Sequence, residues 1–278
     1  MANRAAVGGA ILVGLLVAIA LLAPWLGKDP ITHDIENGLT QLGAPLSPSA
    51  SSLLGTDHLG RDVWARLGAG ASSSLSIAAL ATALALAIGL TLGLIAGYAG
   101  GWVDDVLMRI VDLMLSFPVL LLAILLAALL REAGLASSTA PVVLTLAIVS
   151  WTTMARVIRG KAMTLARSEY VMAARALGAS PARIIARHIL PNAIGVLIVV
   201  VALGFAQNLL AEAALSYLGL GPPPPTPTWG RMLYDGRVFY RTAPHLVLAP
   251  GLAILVAVVA FNLVADGVRD VFDPKERR

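Results

Sequence analysis

The chain is dominated by long apolar runs that contain no charged side chain. Five such runs cover residues 5–26, 75–99, 133–155, 189–211 and 246–265. A sixth run at residues 110–130 is similar, but it has Asp112 in its first turn and Pro118 in its interior. Each of the six is close to the ~20 residues that a helix needs to cross a bilayer. We expect the sixth run to span the membrane as well, because neighbouring helices can satisfy the backbone groups that a proline frees.

Composition supports a membrane protein. Of the 278 residues, 58% are hydrophobic and only 13% are charged, whereas a soluble domain is about one quarter charged. Disorder and a water-soluble fold are therefore excluded, and the predicted fold class is an all-α membrane protein with six transmembrane helices. The apolar stretch of the first run exceeds the 7–15 residues of a signal peptide, so we expect it to be retained. The absence of cysteine excludes disulfides, thiolate metal sites and cysteine catalysis.

Basic residues are distributed unequally between the loops. With the N-terminus inside, 13 of the 20 Lys and Arg residues lie in the cytoplasm. The positive-inside rule favours this orientation, so both termini are expected in the cytoplasm. A nucleic-acid partner would need a soluble basic face, which this sequence lacks.

One cytoplasmic segment, residues 156–191, has the signature of two short helices. Ser168 is a candidate N-cap for a helix over residues 169–177, and Gly178 is a candidate C-cap. Ser180 precedes a proline at the start of the second helix, which we expect to break at Leu190 and Pro191. Composition alone also allows an amphipathic segment lying on the bilayer.

The residue pattern of this segment resembles the EAA loop of ABC importer permeases. It reads YVMAARALG at residues 170–178, followed by RHILPN at residues 187–192. Met172 stands where the family has its glutamate, and His188 stands where it has isoleucine. The resemblance implies a coupling helix that docks on a cytoplasmic ATPase. The residues implied in coupling are Glu169, Tyr170, Val171, Ala173, Ala174, Arg175, Leu177 and Gly178, with Leu190 and Pro191 at the loop end.

Four further segments extend this resemblance along nearly the whole chain. They read LLGTDHLGRDV from residue 53, GYAGGWVDDVLMRIVD from residue 97, LSYLGLGPPPPTPTWGRML from residue 215 and FNLVADGVRDVFDP from residue 261. In this order they are similar to the C-type permease subunit of dipeptide, oligopeptide and nickel importers. The resemblance implies a homologous second permease subunit, two cytoplasmic ATP-binding subunits and an extracytoplasmic solute-binding protein. It also implies that ATP and Mg bind to the partner subunits, so no cofactor or metal is expected on this chain.

Other candidate residues are less distinctive. Gly89, Gly93 and Gly97 recur every four residues, a spacing that lets two membrane helices pack closely. Glu212 lies near the end of a span and is a candidate for the translocation path, or alternatively an interfacial residue. The proline-rich segment with Trp229 is a candidate contact for the binding protein, a gate or a rigid spacer. Asp57, His58 and Asp62 could suggest an external metal site, but Asp62 and either Thr56 or Asp57 are better explained as caps of turns.

We therefore expect residues 1–74 to form an N-terminal helix with an extracytoplasmic segment, and residues 75–278 to form the permease core. The expected function is that of a non-catalytic permease subunit, which imports di- or oligopeptides by alternating access across the bacterial or archaeal cell membrane. Import of nickel or another small solute by the same permease type is the alternative. A secondary transporter would need charged groups or broken helices at the membrane midplane, and only Pro118 points that way. No catalytic constellation lies within the spans.

Overall fold

A computed structural model describes residues 4–26 and 28–272 of the chain. Within these residues the secondary structure is helical, apart from two isolated β-bridges. The helices are α1 Arg4–Leu26, α2 Ile35–Gly38, α3 Val63–Ala99, α4 Gly101–Leu115, α5 Val119–Leu130, α6 Ala140–Ala166, α7 Glu169–Ala176, α8 Pro181–Ile184, α9 Leu190–Tyr217, α10 Trp229–Gly236 and α11 His245–Phe272. Lys275, Arg277 and Arg278, which the sequence analysis assigns to the cytoplasm, and the end of the segment at residues 261–274 lie outside the described residues.

Five helical segments in the described part of the chain are long and apolar enough to cross a membrane. They correspond to α1, α3, α6, the α8–α9 unit and α11. The prediction of an all-α membrane protein is therefore confirmed. The sixth predicted span is not one straight helix, because α4 and the helical segment that follows it are bent by 90°. The break lies between Leu115 and Val119, where Pro118 cannot donate a backbone hydrogen bond and sits at the N-cap of α5.

The third predicted span was placed too early in the chain. Instead of covering residues 133–155, α6 begins at Ala140 and ends at Ala166. A π-helical turn at Arg131–Leu135 follows α5, and Gly134 adopts a φ of +93° that ends the helical path. Pro141 then occupies the first turn of α6, where its missing N–H costs nothing.

The glycines at four-residue spacing form the contact between α3 and α6. A Cβ atom on Gly89 would lie 2.9 Å from the Trp151 carbonyl oxygen. On Gly93 it would lie 2.7 Å from the Ala155 carbonyl oxygen, and on Gly97 it would lie 2.6 Å from the Arg159 carbonyl oxygen. Only a hydrogen at these positions allows the two backbones to approach so closely. The two helices therefore form a tightly joined unit at the centre of the bundle.

The extramembrane segments lie at two ends of this bundle. One end, which we call the α7 end, contains α7, the end of α6 that precedes it, and the start of α4. Here α4 pairs with α6 through Asp104 and Arg159. At the opposite end, residues 28–62 and α10 cover the start of α3. The Asp62 side chain caps α3 by accepting a hydrogen bond of 3.0 Å from the Ala65 N–H.

Candidate functional site

A single buried side chain holds α7 against the bundle. Val171 is fully buried, although both of its chain neighbours are exposed. Because α7 makes this contact at only one position, most of its surface is available to a partner. The buried residues of the same apolar cluster on α6, α8 and the following turn include Ile158, Ala162, Ile184 and Ile189.

The outer face of α7 is centred on Ala173. Ala173 is exposed and lies two residues after the buried Val171, about 200° around the helix. Ala174 is half-buried, so the two alanines of the loop are not equivalent. Tyr170 and Leu177 flank Ala173, and their side chains are 43% and 88% exposed. This face is small at its centre and bulky at both ends, which suits insertion into a cleft.

Polar and aromatic contacts fix the orientation of α7. The Arg175 guanidinium lies over the Tyr98 ring, 5.2 Å from its centroid, and so joins α7 to the end of α3. The rings of Tyr170 and His188 are 6.3 Å apart. Glu169 is exposed in the first turn of α7, where a carboxylate interacts favourably with the helix dipole.

The ends of the loop helices differ partly from the predictions. Ser168 occupies the N-cap position of α7, but the predicted side-chain cap is wrong because its hydroxyl donates to the Leu165 carbonyl of α6 instead. Gly178 has a φ of +79° and ends α7, whereas the Ser180 side chain accepts a hydrogen bond from Arg183 N–H at the start of α8.

The predicted break at Leu190 and Pro191 is also wrong. The chain passes from α8 through a π-helical turn, Ile185–Ile189, into α9 without leaving a helical path. Pro191 lies in the first turn of α9, where the wider turn accommodates its missing N–H. Consequently α8 and α9 form one helical unit that runs from the loop after α7 into a membrane-spanning helix.

Two ion pairs link α4 to α6 near the α7 end. Arg159 contacts both carboxylate oxygens of Asp104, whose side chain is 9% exposed. Arg156 pairs with Asp112, and both of these side chains are at least half exposed. The acidic residue in the sixth predicted span is therefore neutralised by a neighbouring helix, which explains why an apolar run tolerates it.

A cleft of about 380 Å³ lies between the α4–α5 break, α6 and α9. Its walls are mainly apolar, with Leu120, Leu146 and Leu210 among them. The polar side chains in its lining belong to Ser150, Thr153, Gln207 and Asn208. Among these, Gln207 is exposed although it lies within a membrane-spanning helix, so its amide is available to a solute.

Gln207 and Asn208 are not among the residues predicted from sequence, because only ionisable groups within the spans were candidates. Two adjacent amides inside the apolar run at residues 189–211 were the available signal. Asn208 is buried and donates a hydrogen bond of 2.9 Å to the Thr82 hydroxyl of α3. Asn208 is therefore hydrogen-bonded to α3, whereas its neighbour Gln207 is exposed.

Glu212 is fully buried and does not face an open vestibule in this structure. The Ser216 hydroxyl donates to its Oε1 at 2.6 Å, and Oε2 has no hydrogen-bond partner among the described residues. The carboxyl group lies between α9, α3 and the segment that precedes α10, next to Ser74 and Thr228. Its place in a translocation path stays a prediction.

The proline-rich segment is anchored to the membrane helices at its end. Trp229 is 1% exposed, and its ring Nε1 donates to the Leu67 carbonyl of α3 at 3.0 Å. Its backbone N–H donates to the Ser74 hydroxyl at 3.1 Å. The Trp229 side chain is thus a structural anchor in this chain, and it is not available to contact a binding protein.

A family model described as the binding-protein-dependent transport system inner membrane component matches residues 89–278. The chain belongs to this family. The matched part of the permease begins within α3 and includes α7, the cleft at Gln207 and the segment around Trp229. It therefore contains all the candidate sites described above.

Individual relatives agree with this assignment. The permease is 41% identical over 273 residues to the dipeptide transport system permease protein DppC of Alkalihalophilus pseudofirmus, which covers 98% of this chain and 86% of that protein. It is 40% identical over 270 residues to the glutathione transport system permease protein GsiD of Escherichia coli, covering 97% and 86% of the two chains. The resemblance to ABC importer permeases is thereby confirmed.

The fold is similar to that of a solved ABC transporter. A chain from the inward-facing structures of the MetNI methionine ABC transporter superposes with a TM-score of 0.62, covering 73% of the permease and 94% of that chain. The two sequences are 17% identical, so this similarity concerns the architecture alone.

Proposed function

We propose that this permease forms one half of an ATP-driven importer that moves di- or oligopeptides across the cell membrane by alternating access. The observation that carries the proposal is the exposed face of α7 around Ala173, on a helix that is held against the bundle by the buried Val171. The peptide substrate is supported by the relatives, one named as a dipeptide and the other as a glutathione transport permease. Both substrates are small peptides.

The α7 end is the cytoplasmic end in this proposal, with both termini on the same side. The excess of basic residues on the loops at this end supports the orientation. ATP and Mg bind to two ATPase subunits that dock on the α7 end, so this chain has no catalytic role of its own. The basic residues from the end of α6 to the start of α9 are Arg156, Arg159, Lys161, Arg167, Arg175, Arg183 and Arg187.

Closure of the ATPases would displace α7, and the buried contacts of α7 determine which helices are displaced with it. Val171 transmits the displacement to α6 through Ile158 and Ala162, and to the α8–α9 unit through Ile184. Because close-packed contacts deform little, α7 and α6 would move together as a rigid body. The glycine contacts described above extend this unit to α3. The bundle thereby converts a displacement at its cytoplasmic end into opening at the other.

The peptide would pass through the cleft between α5, α6 and α9. The cleft is open on one side in this chain, and a homologous second permease subunit would close it. Its apolar walls offer few strong contacts, so a peptide is not held tightly during passage. The Gln207 amide supplies a donor and an acceptor that suit a peptide backbone.

The test is ATP-dependent peptide uptake by proteoliposomes that contain the permease, its partner permease and the ATPases, with the binding protein added outside. Ala173→Asp introduces a charge at the centre of the docking face and is expected to lower uptake at least tenfold, without loss of membrane insertion. Ala182→Asp places the same charge on the exposed surface of α8 and serves as the matched control. Equal uptake by Ala173→Asp and the wild type, or uptake without ATP, would refute the proposal.

A further inference from the structure

Three arginines and two aspartates meet at the end of the bundle opposite α7. Arg61 and Arg66 both pair with Asp57 Oδ2, at 2.7 and 3.2 Å. Both also approach Asp235 Oδ2, at 3.8 and 3.7 Å. Arg231 donates through Nε to Asp235 Oδ1 at 3.0 Å. The loop before α3, α3 itself and α10 thus contribute to one charged cluster.

The charges of this cluster do not balance. Three guanidinium groups share two carboxylates, which leaves an excess of one positive charge. The side chains of Arg61 and Arg66 are only 8% and 3% exposed, so water screens this excess poorly. A buried charge is stable only where it is paired. One additional anion would complete the pairing.

A pocket of about 240 Å³ lies directly beside the cluster. Its charged lining residues are Arg61, Arg66, Arg231 and the carboxylate Asp235, and His58 lines it as well. His58 Nδ1 is buried and has no hydrogen-bond partner in the described part of the chain. Arg231 binds Asp235 through Nε alone, which leaves both of its Nη groups without a hydrogen bond among the described residues. An unpaired imidazole nitrogen and the free Nη groups of Arg231 therefore lie at a pocket with a net positive charge.

The pocket has the chemistry of a carboxylate site. A guanidinium binds a carboxylate with two parallel N–H···O bonds, and such charge-assisted bonds are stronger than neutral ones. Its volume of about 240 Å³ is below the ~300–1,000 Å³ typical of pockets that enclose a whole drug-sized ligand. It therefore suits the end of a peptide better than a complete oligopeptide.

We propose that this pocket binds the C-terminal carboxylate of a peptide as it passes from the binding protein into the permease. The inference rests on the proposed peptide import and on the orientation that places α7 in the cytoplasm, since the pocket then faces the side from which peptides arrive. Arg231 is the principal ligand, because it has free donors and its side chain is 30% exposed. Arg61 and Arg66 supply the fixed positive field behind it.

The test compares a dipeptide with its C-terminal amide in the proteoliposome uptake assay, using the wild type and Arg231→Gln. The ratio of dipeptide uptake to amide uptake is measured for each of the two variants, and the two ratios are then compared. The same binding protein serves all four measurements, so its own preference cancels in this comparison. Loss of a charge-assisted hydrogen bond is expected to lower dipeptide uptake at least tenfold more than amide uptake. Arg231→Lys retains the charge and is expected to recover most of the difference. Arg241→Gln removes an exposed arginine that does not line the pocket and is the matched control.

Each outcome bears on a distinct claim. A greater loss for the dipeptide than for the amide, restored by Arg231→Lys, supports the carboxylate site. An equal loss for both substrates would make Arg231 a purely structural member of the ion cluster and would overturn the inference, as would no loss for either. Absence of ATP-dependent uptake of both peptides by the wild type would refute the proposed function itself, and with it the site.

Discussion

Substitution of Gly93 by alanine tests the close contact between α3 and α6. The added Cβ would lie 2.7 Å from the Ala155 carbonyl oxygen and 3.0 Å from Ile158 Cβ, whereas ordinary contacts begin near 3.4 Å. The Ala155 carbonyl oxygen belongs to the helix backbone and cannot rotate away, so the clash is relieved only if the two helices separate by several tenths of an ångström. Overpacking of this kind costs about 1–3 kcal/mol.

Alanine also recovers some of that loss, because it orders a helix more easily than glycine by about 0.5–1 kcal/mol. The net destabilisation is therefore about 0–2.5 kcal/mol, which lowers Tm by roughly 0–10 °C in a protein of this size. The measurement is thermal unfolding of the purified chain in detergent. Gly160→Ala is the matched control on α6, since no atom of the described residues beyond its own helix turn lies within 4 Å of its added Cβ. A Tm for Gly93→Ala at or above that of Gly160→Ala would refute the reasoning.

Three further substitutions test local features of the structure. Asp104→Asn removes the largely buried partner of Arg159 and is expected to lower the free energy of unfolding by about 1–3 kcal/mol. Asp112→Asn breaks an exposed pair and should lower it by no more than about 1 kcal/mol. Thermal unfolding compares the two variants, and equal losses of stability would contradict the role assigned to burial. Val171→Ala removes the apolar anchor of α7 and should speed amide hydrogen exchange at residues 169–176, with exchange in α3 as the internal reference. Trp229→Phe keeps most of the apolar volume but removes the ring N–H that donates to the Leu67 carbonyl, at a cost of about 0.5–1.5 kcal/mol. An unchanged Tm would show that this hydrogen bond contributes nothing.

The spans were largely predictable because they depend on composition alone. Apolar runs near the length of a bilayer identified α1, α3, α9 and α11, since any other placement of so many apolar side chains would expose them to water. The start of α6 was not predictable in the same way. Residues 133–139 are uncharged, so hydropathy does not distinguish a loop from a helix there, and only the positive φ of Gly134 ends the helical path.

Features that depend on tertiary contacts were harder to predict. The local pattern identified α7 and its end at Gly178, but it gave no reason to distinguish Ala173 from Ala174. That difference arises from the packing of Val171 against α6. The proposed carboxylate pocket joins Arg61 to Arg231 across 170 positions of sequence, and no local pattern connects them. Sequence periodicity describes a helix face, whereas a pocket is defined by the elements that surround it.

The central claim, that α7 docks on an ATPase, is tested most directly by site-specific crosslinking. The chain has no native cysteine, so Ala173→Cys provides a unique thiol for a maleimide photo-crosslinker in the assembled importer. Val238→Cys is the control, because its side chain is 68% exposed at the opposite end of the bundle. We expect Ala173→Cys to crosslink to the ATP-binding subunit and Val238→Cys not to do so. Absence of an ATPase crosslink from Ala173→Cys in a complex that retains its ATPases would contradict the assignment of α7 as the coupling helix.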